Sequence, residues 1–211
     1  ELTTADGELV VVEMSVVETH WERNPALLAS LRDVTDKVQM RKRLRTMAFN
    51  DELTGLRNRR GFTTLGNKQL QIARRRGDSV VLYYLDLDGL KWINDNLGHQ
   101  EGDQAIKDMA DVLTAVFRQS DICARLGGDE FAVIALDVAE GLHNLLAGRL
   151  QRAIDAHNSS AGRNFTLAAS VGCVVWDPEV DKTLDDLLTR GDEVMYEVKR
   201  KRKAARETEP G

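Results

Sequence analysis

Cysteine is scarce in this chain, two residues in 211, at Cys123 and Cys173. Each lies within an apolar, strand-like run, and neither belongs to a CxxC or Cys/His spacing. That argues against a disulfide framework or a zinc site, and buried free thiols in a reducing cytosol are expected. No apolar run approaches the roughly 18 residues that span a bilayer, and no signal peptide opens the sequence. The chain starts mid-strand without a methionine, so it reads as a fragment, expected in the cytoplasm and leaving an upstream membrane anchor open. An excess of positive charge is also missing: 29 Lys and Arg face 34 Asp and Glu, for a formal net charge of −5. That argues against nucleic acid held by bulk charge. A basic concentration at the C-terminus, Lys199, Arg200, Lys201, Arg202, Lys203 and Arg206, falls where cations suit the negative pole of a helix.

What is present, 42% hydrophobic and 30% charged residues, suits one domain of ordinary size plus an extra piece. Residues 1–35 differ from the rest. Residues 7–18 are rich in valine and 26–34 form a second strand-like run, with Asn24-Pro25 as the turn signal between them. Two strands make no stable core alone, so the segment is expected to end a larger sensory domain. Its exit, Leu31-Arg32-Asp33-Val34-Thr35-Asp36, resembles the closing strand of a PAS domain. Residues 36–49 turn helical and charged, with Val38, Leu44 and Met47 on one narrow stripe. They read either as a solvated connecting helix or as a parallel coiled-coil linker.

The globular domain begins at residue 50. Helical periodicity over 59–75 is followed by a continuous apolar strand, 79–87, and helices over 90–97 and 101–118. Strands over 121–126 and 131–136 flank a glycine hairpin. A helix at 139–156, a strand at 165–176 and a last helix at 183–202 complete the domain to residue 204, with a disordered tail expected over 205–211. This order contains a βαββαβ core, an α+β fold with an antiparallel central sheet flanked by helices.

The hairpin, Arg125-Leu126-Gly127-Gly128-Asp129-Glu130-Phe131, sets two glycines and two carboxylates at a strand reversal. Paired glycines allow positive φ and let a bulky ligand approach, and exposed acids there invite a cation or a metal–polyphosphate complex. Alone, the segment would serve as an ordinary Gly-Asp turn. The first buried strand, however, also ends in acids, at Asp86-Leu87-Asp88-Gly89. Asp86 and Asp129 face each other if that strand lies beside the hairpin, and such oxygen-rich pairs select Mg²⁺, with Mn²⁺ as an alternative. Asn94 and Asp103 carry the donors and acceptors that suit a purine edge. Lys199 and Lys203, four apart on the last helix, point the same way and can clamp a triphosphate.

Together these residues resemble a family. Asp51-Glu52-Leu53-Thr54-Gly55-Leu56-Arg57-Asn58-Arg59, Leu85-Asp86-Leu87-Asp88-Gly89-Leu90-Lys91-Trp92-Ile93-Asn94-Asp95, Leu97-Gly98-His99 with Gly102-Asp103, and the hairpin stand in the order and spacing of the GGDEF diguanylate cyclases. The resemblance covers about residues 50–203. It implies a palm-like fold and the condensation of two GTP into cyclic di-GMP with release of pyrophosphate. It assigns metal ligation to Asp86, the Leu87 carbonyl and Asp129, and guanine contacts to Asn94 and Asp103. Gly127 and Gly128 fall at the substrate, phosphate stabilisation on Lys91, triphosphate contacts on Lys199 and Lys203, and a requirement for activity on Glu130. Arg118 and Asp121 match an Arg-x-x-Asp pair at which cyclic di-GMP inhibits.

The sequence departs from the pattern at Glu52 and Arg57, where proline is usual, and at Leu90, where phenylalanine is common. The closing motif Ala-Lys-x-x-Gly-Arg-Asn reads Val198-Lys199-Arg200-Lys201-Arg202-Lys203-Ala204, so Lys203 replaces an arginine and loses its bidentate fork. One domain holds one GTP, so the reaction implies a homodimer with two facing sites, a geometry that an upstream sensor would adjust through the linker. A catalytically silent module that binds GTP or cyclic di-GMP is the alternative. A palm-type polymerase fragment is disfavoured by the acidic balance.

Overall fold

The computed structural model describes residues 2–4, 6–22, 24–139 and 141–208; the side chains of Trp21, 42–45 and 205–208 lie outside the description. The chain divides into two compact units, Glu1–Ala48 and Phe49–Gly211, taken separately here.

In the first unit, β1 (Leu2–Thr3) pairs with β2 (Leu9–Val10), and β3 (Val12–Trp21) pairs antiparallel with β4 (Asn24–Asp33). The expected turn at Asn24-Pro25 is displaced. Trp21 pairs with Asn24 and His20 with Pro25, so both turn residues lie inside β4, and the reversal begins at Glu22 with φ +50°. Proline, which has no N–H, is tolerated here because a two-stranded ribbon has free edges. Met14, Val16, Leu27 and Leu31 alternate onto one face of the ribbon and are all exposed. Asp33 accepts the Thr35 amide at 2.8 Å and its hydroxyl at 2.6 Å, which opens α1 (Thr35–Phe49). Val38 and Met47 of the expected stripe are exposed; the Leu44 side chain is outside the description.

The second unit runs α2 (Arg59–Arg76), β5 (Val80–Leu87), α3 (Leu90–Leu97), α4 (His99–Val116), β6 (Ile122–Gly127), β7 (Glu130–Leu136), α5 (Leu142–Ser160), β8 (Ala169–Val175) and α6 (Leu184–Thr208). The four strands form an antiparallel sheet in the order β6-β7-β5-β8. The α+β architecture expected from the sequence is the one found.

Every residue of β5 is buried, although unalternating apolar strands are more usual in parallel sheets. Helices cover both faces of this sheet. Val81, Tyr83, Leu85 and Leu87 pack with Met109, Leu113 and Ile154 from α4 and α5. Val80, Leu82 and Tyr84 pack with Phe62, Leu187 and Met195 from α2 and α6. Each large side chain so buried contributes about 1.5–3 kcal/mol. The two cores therefore fix where β5 ends.

Element boundaries differ from expectation for identifiable reasons. Residues 165–168 leave the strand because Asn158 takes both backbone groups of Leu167, at 2.8 Å each. The second of the paired helices starts at His99, since Gly98 caps α3 and opens α4 with φ +92° and no intervening loop. The expected tail continues α6 through Thr208, and 209–211 lie outside the description.

Candidate active site

The site forms where β5 and the β6–β7 hairpin end together. Asp86 pairs in register with Glu130 across β5–β7 and with Ser170 across β5–β8. One residue on, the Leu87 amide donates to the Asp129 carbonyl at 2.9 Å. This ties the tip to the strand end. The ladder slips between Arg125 and Gly127, and Gly127 and Gly128 take φ +155° and +52°, the conformation that the paired glycines predict.

Asp86 is 9% exposed and receives the Lys199 ammonium on Oδ1 at 2.7 Å. Burial pushes its carboxyl above the usual range, the lysine opposes this, and the negative charges of Asp129 and Asp88 add to it. Burial alone would lower Lys199, but Asp86, Asp88 and Asp129 outweigh it and hold the ammonium above its ordinary value. Asp86 thus meets Lys199 directly, while Asp88 on the β5–α3 turn and Asp129 on the hairpin act on it through their charge. Asp88 accepts the Ser170 hydroxyl at 2.9 and 3.1 Å and lies 3.6 Å from Arg202.

Glu130 accepts the Tyr84 hydroxyl at 3.1 Å and lies 3.6 Å from Arg59. Burial, reinforced by the Glu130 charge, raises the Tyr84 phenol, so it stays a donor. Lys91 is exposed on α3. The Gly98 junction folds α4 back so that Gly102 abuts the Asn94 side-chain oxygen, with the exposed Asp103 beside it. Gly102→Ala should therefore displace Asn94, a movable amide end, and leave the fold intact. On the expectation that Asn94 contacts guanine, GTP affinity should fall roughly tenfold with an unchanged melting temperature, and unaltered calorimetric binding would refute it.

Two expected residues behave differently. Lys203 is exposed and lines a recess on α6 with Glu197 and Arg200, and Arg202 lies 3.6 Å from Asp88. Asp121 uses its carboxylate as a brace: Oδ2 accepts the Arg118 amide at 2.8 Å and Oδ1 the Leu136 amide at 3.1 Å. Arg118 and Asp121 line a recess of about 540 Å³ together with Arg57, Gln69 and Ser120.

Arg125 and Asp51 had no role in the sequence reading. Arg125 donates from Nε and Nη2 to the Gly128 carbonyl at 3.0 and 2.9 Å, and from Nη1 to both Asp51 oxygens at 3.3 Å. Asp51 also accepts the Thr54 amide and hydroxyl; these bonds and Arg125 outweigh burial and keep its carboxyl below the usual range. An arginine two residues before paired glycines, facing an Asp-x-x-Thr turn, was the available signal.

Among the described residues no cluster of three or more His, Cys, Asp or Glu side chains is suited to a metal. The donor set nevertheless fits Mg²⁺, which takes few protein ligands and completes its octahedron with water and phosphate. Asp86 and Asp129 supply two hard carboxylates coupled through their charges, and Leu87 lies between the strand end and the tip.

Residues 48–205 match the family described as "Diguanylate cyclase, GGDEF domain". The chain belongs to the GGDEF family. It is 36% identical over 156 residues, 74% of its length, to the cyclic di-GMP phosphodiesterase NbdA of Pseudomonas aeruginosa. It is 35% identical over 152 residues, 70% of its length, to the probable diguanylate cyclase DgcE of Escherichia coli K12. The matches span 20% and 13% of those relatives. The crystal structure of the coiled coil and GGDEF domain of DgcB from Caulobacter crescentus, in complex with c-di-GMP, aligns with TM-score 0.70 and 28% identity, covering 79% of this chain and 88% of that one. GGDEF domains thus occur in relatives named for opposite reactions, and the site residues have to decide the activity.

Proposed function

We propose that this GGDEF domain is an active diguanylate cyclase that joins two GTP molecules into cyclic di-GMP and releases pyrophosphate. The observation that carries the proposal is the convergence of Asp86, Asp129 and Lys199 at the end of the buried strand, with Asn94 and Asp103 adjacent on the α3–α4 pair. Asp86, Asp129 and the Leu87 carbonyl would hold magnesium, which when bound supplies charge neutralisation and acidifies the attacking hydroxyl. Asn94 and Asp103 orient the guanine, Asp103 accepting from its N–H groups. Lys199, released from Asp86, turns to the triphosphate, and Lys91 offsets charge on the phosphate. Glu130, held by Tyr84 and Arg59, stands in register with Asp86 beside the proposed metal site.

The chemistry is symmetric, so a homodimer brings two such sites together. The first unit favours this arrangement: an exposed apolar ribbon leads directly into a helix, as the end of a PAS-like sensor followed by a coiled-coil linker would. Incubation of the purified protein with GTP and Mg²⁺ should yield cyclic di-GMP. Tight nucleotide binding without turnover would instead support the silent module.

Product inhibition at Arg118 and the recess below it belongs to the same proposal. Among the described residues no hydrogen bond or ion pair engages the Arg118 guanidinium, which leaves its fork available to phosphate or guanine. Arg118→Ala should raise the half-inhibitory concentration of cyclic di-GMP by about tenfold or more without changing the initial rate. An unchanged titration curve would remove the recess from consideration.

A further inference from the structure

Arg202 stands where the family's closing motif carries glycine, and it engages three separate elements. Nη1 donates to the Ala169 carbonyl at the start of β8 and lies 3.6 Å from Asp88 Oδ2; Nη2 donates to Gln151 Oε1 on α5 at 3.2 Å. Lys199, three residues earlier on the same helical face, meets Asp86. The helix α6 therefore lays two cations on two carboxylates that flank Leu87. Lys203, the residue aligned with the family's arginine, is exposed and lines a recess on α6 with Glu197 and Arg200.

We infer that Arg202 is a positioning residue for the phosphate site: it fastens α6 to β8, α5 and the β5–α3 turn, and thereby sets Lys199 opposite Asp86. The inference rests on the cyclase reading of that site. A guanidinium suits the task because its planar fork serves several acceptors at fixed angles, where an ammonium is a single point charge on a flexible stem. Asp88 suits it because Ser170 already holds that carboxylate on the strand, at 2.9 and 3.1 Å. Of the two cations that α6 lays on these carboxylates, Lys199 is the one that must let go when a triphosphate arrives, and Arg202 is the one that can stay.

The test is a double-mutant cycle read by calorimetric binding of α,β-methylene-GTP with Mg²⁺, whose bridging carbon blocks pyrophosphate loss, and by KM and kcat with GTP. Arg202→Ala should weaken analogue binding and raise KM by about tenfold, with kcat changed by less than about threefold. If Arg202 acts through Lys199, the double variant with Lys199→Ala should bind no more weakly than Lys199→Ala alone; additive losses would overturn the inference. Arg202→Lys should remain close to Arg202→Ala, and full rescue would refute the role of the fork. Should Arg202→Ala fail to fold, Asp88→Asn, which keeps its Ser170 partner, should reproduce the loss of affinity, and unchanged binding would count against the inference. Wild-type protein that binds no analogue would overturn the cyclase reading itself. Normal binding and turnover in both wild type and Arg202→Ala would overturn only the role of Arg202.

Discussion

Asp129→Asn is expected to cut cyclic di-GMP formation by more than about 100-fold, beyond the loss typical of an outer-shell metal partner. The substitution is isosteric, and the tip is held by backbone groups: Leu87 donates to the Asp129 carbonyl, and Arg125 to that of Gly128. The hairpin should therefore keep its shape while the site loses one of the two carboxylates proposed to hold the metal. Lys199, Asn94 and Asp103 remain, so nucleotide binding should fall much less than turnover. The separation distinguishes lost chemistry from lost folding. Chromatography of the product, with the melting temperature as control, checks it. Residual turnover within about tenfold of wild type would mean that Asp129 is not a metal ligand here.

Gly172→Ala should be a strongly damaging single-methyl change to stability. Gly172 sits opposite Tyr84 in β8, and a Cβ there would meet the Gly191 carbonyl, with Met195 N at 2.5 Å and Met195 Cα at 3.0 Å. These are backbone atoms of α6, with no rotamer to move aside. The helix would have to lift from the sheet, at a cost of about 3 kcal/mol or more. For a chain of this size that lowers the melting temperature by roughly 6–12 °C. Lifting α6 also draws Lys199 from Asp86, so affinity for GTP should fall in the molecules that remain folded. Gly148→Ala is the matched control. Nothing lies within 4 Å of a Cβ at Gly148, in the middle of α5, and the substitution should stabilise by about 0.5–1 kcal/mol. Equal melting curves for the two variants would contradict the close approach of α6 to β8.

The sheet was legible because β5 is unbroken and apolar from Val80 to Leu85, a pattern that a strand covered on both faces sustains. The helices were legible because α2 and α4 repeat their apolar residues at helical spacing. What escaped depends on partners distant in the chain. Residues 165–168 read as strand until Asn158 is seen to claim Leu167. Pro25 reads as a turn until its pairing with His20 is known. Asp86 and Asp129 could be named because one ends an apolar strand and the other tips a glycine hairpin. Arg125 meets Asp51 across 74 residues, and Arg202 meets Gln151 across 51. No local pattern announces a side chain whose purpose is to join two elements. The contact of Arg202 with Asp88 has the same origin: spacing fixes which face of a helix a residue occupies, but the carboxylate it finds there depends on how the helix settles on the sheet.

The bonds that hold the hairpin tip have a consequence for control. With one carbonyl fastened to the neighbouring strand and the next gripped by an arginine, the acid arrives at its working position when the protein folds and has little freedom to be withdrawn. An on–off signal would then gain little by deforming a single jaw. It would act on whether two finished jaws are allowed to close on each other, and a stiff helical stem such as α1 is suited to deciding that.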